Sequence, residues 1–115
     1  MKLAIVGSRT FNDYEKLVDF IIEKYDFNEI DCIVSGGAKG ADALGERFAK
    51  EYGFDTIIFS AEWKKYGKRA GFIRNVQIID ECDECVCFWD GQSRGTKHDI
   101  DLCKEKNKPY KICYF

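Results

Sequence analysis

Short apolar runs alternate with longer amphipathic stretches along the whole chain. Lys2–Val6, closed by Gly7, is the first of five segments that read as strands; Asp31–Ser35, Phe54–Phe59, Glu84–Trp89 and Tyr110–Tyr114 are the others. Between them the apolar period changes from that of a buried strand to that of a helix. Leu17, Val18, Ile21 and Ile22 follow Asn12 or Asp13, either of which can cap a helix running to about Tyr25. Ala41, Leu44, Gly45, Phe48, Ala49 and Tyr52 recur at helical spacing up to a stop at Gly53. Phe72, Ile73, Val76, Ile78 and Ile79 predict a helix over 70–82, and a last helix is expected from about Thr96 to Glu105. Ser60–Lys68, polar and aromatic without a period, reads as a loop.

Strict alternation of strand and helix predicts an α/β fold. The expected architecture is a single domain over residues 1–115, with a mostly parallel five-stranded sheet and helices on both faces. Ligands of such sheets bind beyond the carboxyl ends of the strands, at the switch point. Gly7, Gly36 and Gly91 each follow a strand, so their three turns should gather on that one edge.

Composition narrows the function classes. The 115 residues suffice for one core, and a hydrophobic content of 45% with one proline excludes a disordered segment. A net charge of −2 argues against nonspecific binding to nucleic acid or to an anionic membrane. Lys64, Lys65, Lys68 and Arg69 nevertheless form a local cationic cluster suited to one small anion. No apolar run approaches the ~20 residues of a membrane span, and the N-terminal segment reads as a strand, not a secretory signal; the expected location is cytoplasmic. Six cysteines are present. Cys82, Cys85 and Cys87 form a C-x-x-C-x-C run, but Cys32, Cys103, Cys113 and His98 supply no second pair, so reduced structural thiols are expected and no metal or cofactor.

The turn Ser35-Gly36-Gly37-Ala38-Lys39-Gly40, followed by Ala41-Asp42, carries most of the candidate chemistry. Three glycines within five residues expose main-chain N–H groups, and the helix beyond adds its unpaired N–H groups and dipole. The spacing fits neither the dinucleotide fingerprint nor the P-loop, so a packing role for the glycines stands beside anion binding. Gly7-Ser8-Arg9 adds a hydroxyl and a guanidinium able to grip phosphate bidentately, or a plain surface charge. Asp90, Gly91, Ser93, Arg94, Gly95 and Thr96 repeat the theme, with Ser93 or Thr96 capping the next helix. Arg69, Arg74 and Asn75 open the helix that precedes the fourth strand, facing either the cleft or solvent, while Trp63 and Tyr66 offer rings for stacking on a base or for covering the loop. Asp42 stands where it favours the helix dipole and would compete with a bound anion, an arrangement suited to a ligand with hydroxyls as well as phosphate. No catalytic triad is readable; His98, the single histidine, falls inside the last helix.

These segments together resemble a known group. Val6–Arg9, Val34–Asp42, Trp63–Lys68, Ala70–Asn75 and Phe88–Thr96 are similar, in order, to the YspA-type branch of the SLOG superfamily, which includes the DNA-processing protein A domain and the cytokinin-activating Lonely Guy enzymes. The resemblance covers nearly the whole chain. It implies a Rossmann-like fold and a pocket for nucleotides or nucleotide-derived signals related to ADP-ribose, and a homodimer or higher homo-oligomer formed through helices beside the pocket. In the Lonely Guy enzymes a P-G-G-x-G-T-x-x-E motif and an arginine serve hydrolysis of an N-glycosidic bond. Gly95-Thr96-Lys97-His98-Asp99 matches its second half with Asp99 in place of the glutamate, and Arg74 matches the arginine, but the proline-glycine-glycine is absent.

The leading expectation is capture of a nucleotide-derived small molecule such as ADP-ribose or a cyclic relative, as an anti-defence protein of a virus would sequester a host signal. Its phosphates would lie against the N–H groups of Gly36–Gly40 and Arg94–Thr96, with Ser8, Arg9 and Arg74 assisting. The alternative is a nucleoside 5′-monophosphate phosphoribohydrolase using Arg74 and Asp99. Binding of single-stranded DNA ranks third, because an aromatic and basic stripe is missing.

Overall fold

The computed structural model describes residues 1–115. Its strands are β1 (Lys2–Gly7), β2 (Cys32–Ser35), β3 (Asp55–Ile58), β4 (Glu84–Trp89) and β5 (Tyr110–Tyr114). They form one sheet in the order β3-β2-β1-β4-β5, and every pairing is parallel. The helices are α1 (Tyr14–Lys24), α2 (Ala41–Tyr52), α3 (Trp63–Tyr66), α4 (Ala70–Glu81) and α5 (Arg94–Glu105). The α/β class and its helices on both faces agree with the sequence reading.

Two apolar layers sandwich the sheet. On one face Leu3, Ile5, Ile33, Val86 and Phe88 meet Leu17 and Ile21 of α1 and Phe48 of α2. On the other Ala4, Val6, Val34, Cys85 and Cys87 meet Ile78 and Ile79 of α4 and Ile100, Leu102 and Cys103 of α5. Alternate residues of β1 therefore serve opposite layers, and both layers are apolar because a parallel sheet is covered on both sides. All six cysteines are buried as free thiols, behaving as small hydrophobes. No helix is long and apolar enough to cross a membrane.

Most elements begin and end within a residue or two of expectation. The Asp13 side chain caps α1 by accepting from Lys16 N, and Gly53 ends α2 in the left-handed conformation with φ +77°. The stretch expected as a loop, Ser60–Lys68, differs. It contains the single helical turn of α3, followed by a 3₁₀ turn over Gly67–Arg69 that leads directly into α4. Four residues are too few to show a 3.6-residue period, so the turn left no pattern to read.

Sheet order reverses between β1 and β4. Chain leaving β1 turns toward α1 and α2, whereas chain leaving β4 turns toward α5, and the crevice between them is the place where such folds bind ligands.

Candidate functional site

Three strand ends build the crevice. At the first, Ser8 N donates to Phe88 O at 2.9 Å, and Ser8 O accepts from Phe11 N at 3.1 Å and Ala41 N at 3.3 Å. The turn after β1 is thus pinned between the end of β4 and the start of α2. Gly40 makes this approach feasible: its φ is +78°, and a Cβ there would lie 2.4 Å from Ser8 O. Hydroxyls then link the first turn to the third, with Ser8 Oγ 2.9 Å from Ser93 Oγ and Ser93 Oγ 2.9 Å from Thr96 Oγ1.

The third turn is shaped by Asp90. Its Oδ1 accepts from Gln92 N at 2.9 Å and Ser93 N at 2.8 Å, and these bonds hold the carboxyl below the ordinary aspartate range. Ser93 occupies the N-cap of α5, yet its side chain caps no helix amide, being engaged with Ser8 and Thr96 instead. The first turn of α5 consequently keeps N–H groups without a side-chain cap.

The glycine turn after β2 is organised differently. Ser35 Oγ donates to Glu46 Oε2 at 2.8 Å and accepts from Gly37 N at 3.3 Å. Asp42 folds back from α2, and its Oδ2 accepts from Ala38 N at 3.3 Å. A Cβ on Gly36 would meet that same oxygen at 2.6 Å. The expectation that this turn presents its N–H groups to a phosphate therefore meets two internal competitors, a hydroxyl and a carboxylate. The dipole-favouring position of Asp42 is what brings the carboxylate within reach.

Arg74 reaches in from α4, donating through Nη1 to Gly36 O at 2.9 Å and through Nε to Asn75 Oδ1 at 3.0 Å. Asn75 shares a helix face with Ile78 and Ile79 and is buried with them; its Nδ2 lies 3.1 Å from His98 Nδ1 and 3.5 Å from Gly95 O. Below this network lie two acids, Asp42 and Asp99, each 5% exposed. Burial pushes Asp42 up to about 6, with the Arg74 guanidinium pulling the other way. Asp99 lies well above the ordinary range, raised first by burial and then by repulsion from Asp42, and again opposed by Arg74. Its Oδ1 has no hydrogen-bond partner. A buried oxygen left unpaired is costly.

A cavity of about 320 Å³ occupies the crevice, and two others, of about 230 and 340 Å³, adjoin it. Of the residues singled out from sequence, Gly7, Ser8, Arg9, Ala38, Asp42, Arg74, Asn75, Ser93, Gly95, Thr96 and Asp99 line the central cavity. Trp63 and Arg94 line a second, and Gly36, Gly37 and Lys39 a third that Trp63 also walls. Arg9 and Arg74 border all three. Ser35 and Gly40 stand behind the wall and support it through the contacts above, as Asp90 does for the third turn, where Gly91 takes a φ of +83°. Arg69 lines none of the three cavities.

Phe72, one of the apolar residues whose spacing predicts α4, is 60% exposed and walls the second cavity with Lys68 and Gly71. Its heptad relation to Ile79 puts it on the apolar face of α4, but the first turn of that helix borders the crevice, not the sheet. Thr10 also borders the central cavity; no sequence signal marks it. Chemically the site combines an acidic floor with a rim that carries Arg9, Arg94 and Lys68. Such a layout suits hydroxyl groups below and phosphate above.

The family model described as the YspA, cpYpsA-related SLOG family matches residues 1–66. The Gene 61 protein of Mycobacterium phage D29 is 32% identical over 104 residues, which cover 84% of this chain and 83% of the relative. No solved structure matches.

Proposed function

The chain belongs to the YspA, cpYpsA-related SLOG family, and from that premise we propose that its cleft captures a nucleotide-derived small molecule of the ADP-ribose class and holds it intact. Membership supports a nucleotide-related binding or processing role. One observation carries the finer reading: Asp99 Oδ1 is buried in the cleft without a partner, beside Asp42 and beneath a rim of cations. Ribose hydroxyls donating to Asp99 and Asp42 would satisfy that oxygen. Phosphate belongs at the uncapped first turn of α5, where Arg94 and Arg9 add charge-assisted bonds, rather than at the glycine turn that Asp42 already occupies. A phage relative supports the idea that capture sequesters a host signalling nucleotide.

A second reading is favoured by the same acids. Asp99 shares the central cavity with Arg74, and burial beside Asp42 favours the protonated form of its carboxyl, the form that can act as an acid toward a departing base. The activity would be hydrolysis of the N-glycosidic bond of a nucleoside 5′-monophosphate. Incubating the protein with AMP or ADP-ribose, removing it by heat and separating the small molecules by chromatography decides between the two. Intact ligand recovered after tight binding is the result expected of capture. Free base and ribose 5-phosphate would establish hydrolysis instead.

A further inference from the structure

The cavity beside the acidic floor, about 230 Å³ in volume, has a different chemistry. Its walls are the rings of Trp63 and Phe72 over Gly71, and its edges carry Lys68 and Arg94. The two rings are 55% and 60% exposed, while the phenylalanines of the core are packed away. Exposure here is not looseness. Phe72 meets the His98 ring edge-on, with centroids 4.6 Å apart, and His98 is itself hydrogen-bonded to Asn75. Trp63 packs over Gly71, where an added Cβ would sit 3.8 Å from Trp63 Cη2. Arg9, Arg74, Asn75 and Gly95 border both this cavity and the central one. The two compartments therefore share a wall of donors.

We infer that the compartment of Trp63 and Phe72 is a nucleobase subsite, so that the cleft takes a two-part ligand: a sugar on the acidic floor and a base on the aromatic walls, joined by a diphosphate that passes Arg9 and Arg94. A flat π face suits any base, and flanking cations favour the phosphates that accompany one. Two phosphates between two sugars give the linker both the length and the charge to follow the shared wall. This inference rests on the capture reading and adds to it where each half of the ligand lies.

Titration calorimetry with ribose 5-phosphate and with ADP-ribose tests it, on the intact chain and on Trp63→Ala and Phe72→Ala. Both side chains are exposed, so circular dichroism should show the variants folded. ADP-ribose is expected to bind the intact chain at least about tenfold more tightly than ribose 5-phosphate, and each variant to lose about tenfold for ADP-ribose while ribose 5-phosphate is unaffected. Equal affinity for the two probes, or undiminished ADP-ribose binding in both variants, overturns the base subsite and leaves capture standing. If neither probe binds the intact chain, both readings fall.

Discussion

Asp42 is held in a place that opposes its own charge. An aspartate that ionises near 3.8 when unfolded and near 6 when folded leaves the native state binding more protons between those values. Stability must then fall as pH rises from about 4 to about 6, and the full penalty, roughly 3 kcal/mol at most, persists above that window. Asp42→Asn should remove it: urea denaturation is expected to show the variant more stable than the parent at pH 7.5, and the difference to vanish at pH 3.5. Arg74 acts in the opposite sense, since its guanidinium favours the ionised form of both acids. Arg74→Met should therefore lower the melting temperature more at pH 8 than at pH 5, where Asp42 is protonated either way. An equal loss at both values would mean that only the hydrogen bonds to Gly36 and Asn75 matter.

At the scale of elements, the turns are less interchangeable than their shared glycines suggest. Gly40 and Gly53 flank the same helix with nearly the same φ, but a Cβ on Gly53 meets nothing within 4 Å, whereas one on Gly40 strikes the backbone of Ser8 and Arg9. Gly53→Ala should cost about 1 kcal/mol, the strain of a left-handed residue alone. Gly40→Ala should cost more than about 3 kcal/mol, because strain and collision add. Equilibrium unfolding of the two variants measures the contrast. The same comparison explains what was legible beforehand. Strands and the long helices declare themselves through period, and the three turns through glycine and polar clusters at strand ends. The inward fold of Asp42 was hidden, because a first-turn acid looks alike whether it faces solvent or its own turn. The side that Arg74 faces stays open in the sequence, and the exposure of Phe72 goes unseen there, for a related reason: periodicity assigns a residue to a helix face but does not say what that face meets at the helix end.

For the whole molecule, covering both faces of the sheet buries all six cysteines, with Cys32 and Cys113 the least deep at 9% and 8% exposure. Ellman's reagent should label almost no thiol in the native protein within minutes and all six after denaturation, so labelling kinetics report opening of the core. The proposed sequestering role adds a second expectation. Saturation at 100 times Kd raises stability by about 2.7 kcal/mol, which a thermal shift with ADP-ribose would register.

The order β3-β2-β1-β4-β5 also bears on how the chain comes into being. The central strand is made first, yet its partner β4 arrives some 80 residues later, as the pairing of Leu3 with Glu84 records. Phe88 must be in place before Ser8 can be pinned, and Asp99 follows only after that. A nascent chain lacking its last third has the glycine turn and Asp42 but neither Asp99 nor the uncapped helix end. The cleft proposed to capture a ligand is thus completed late, when β4 and α5 have joined the sheet.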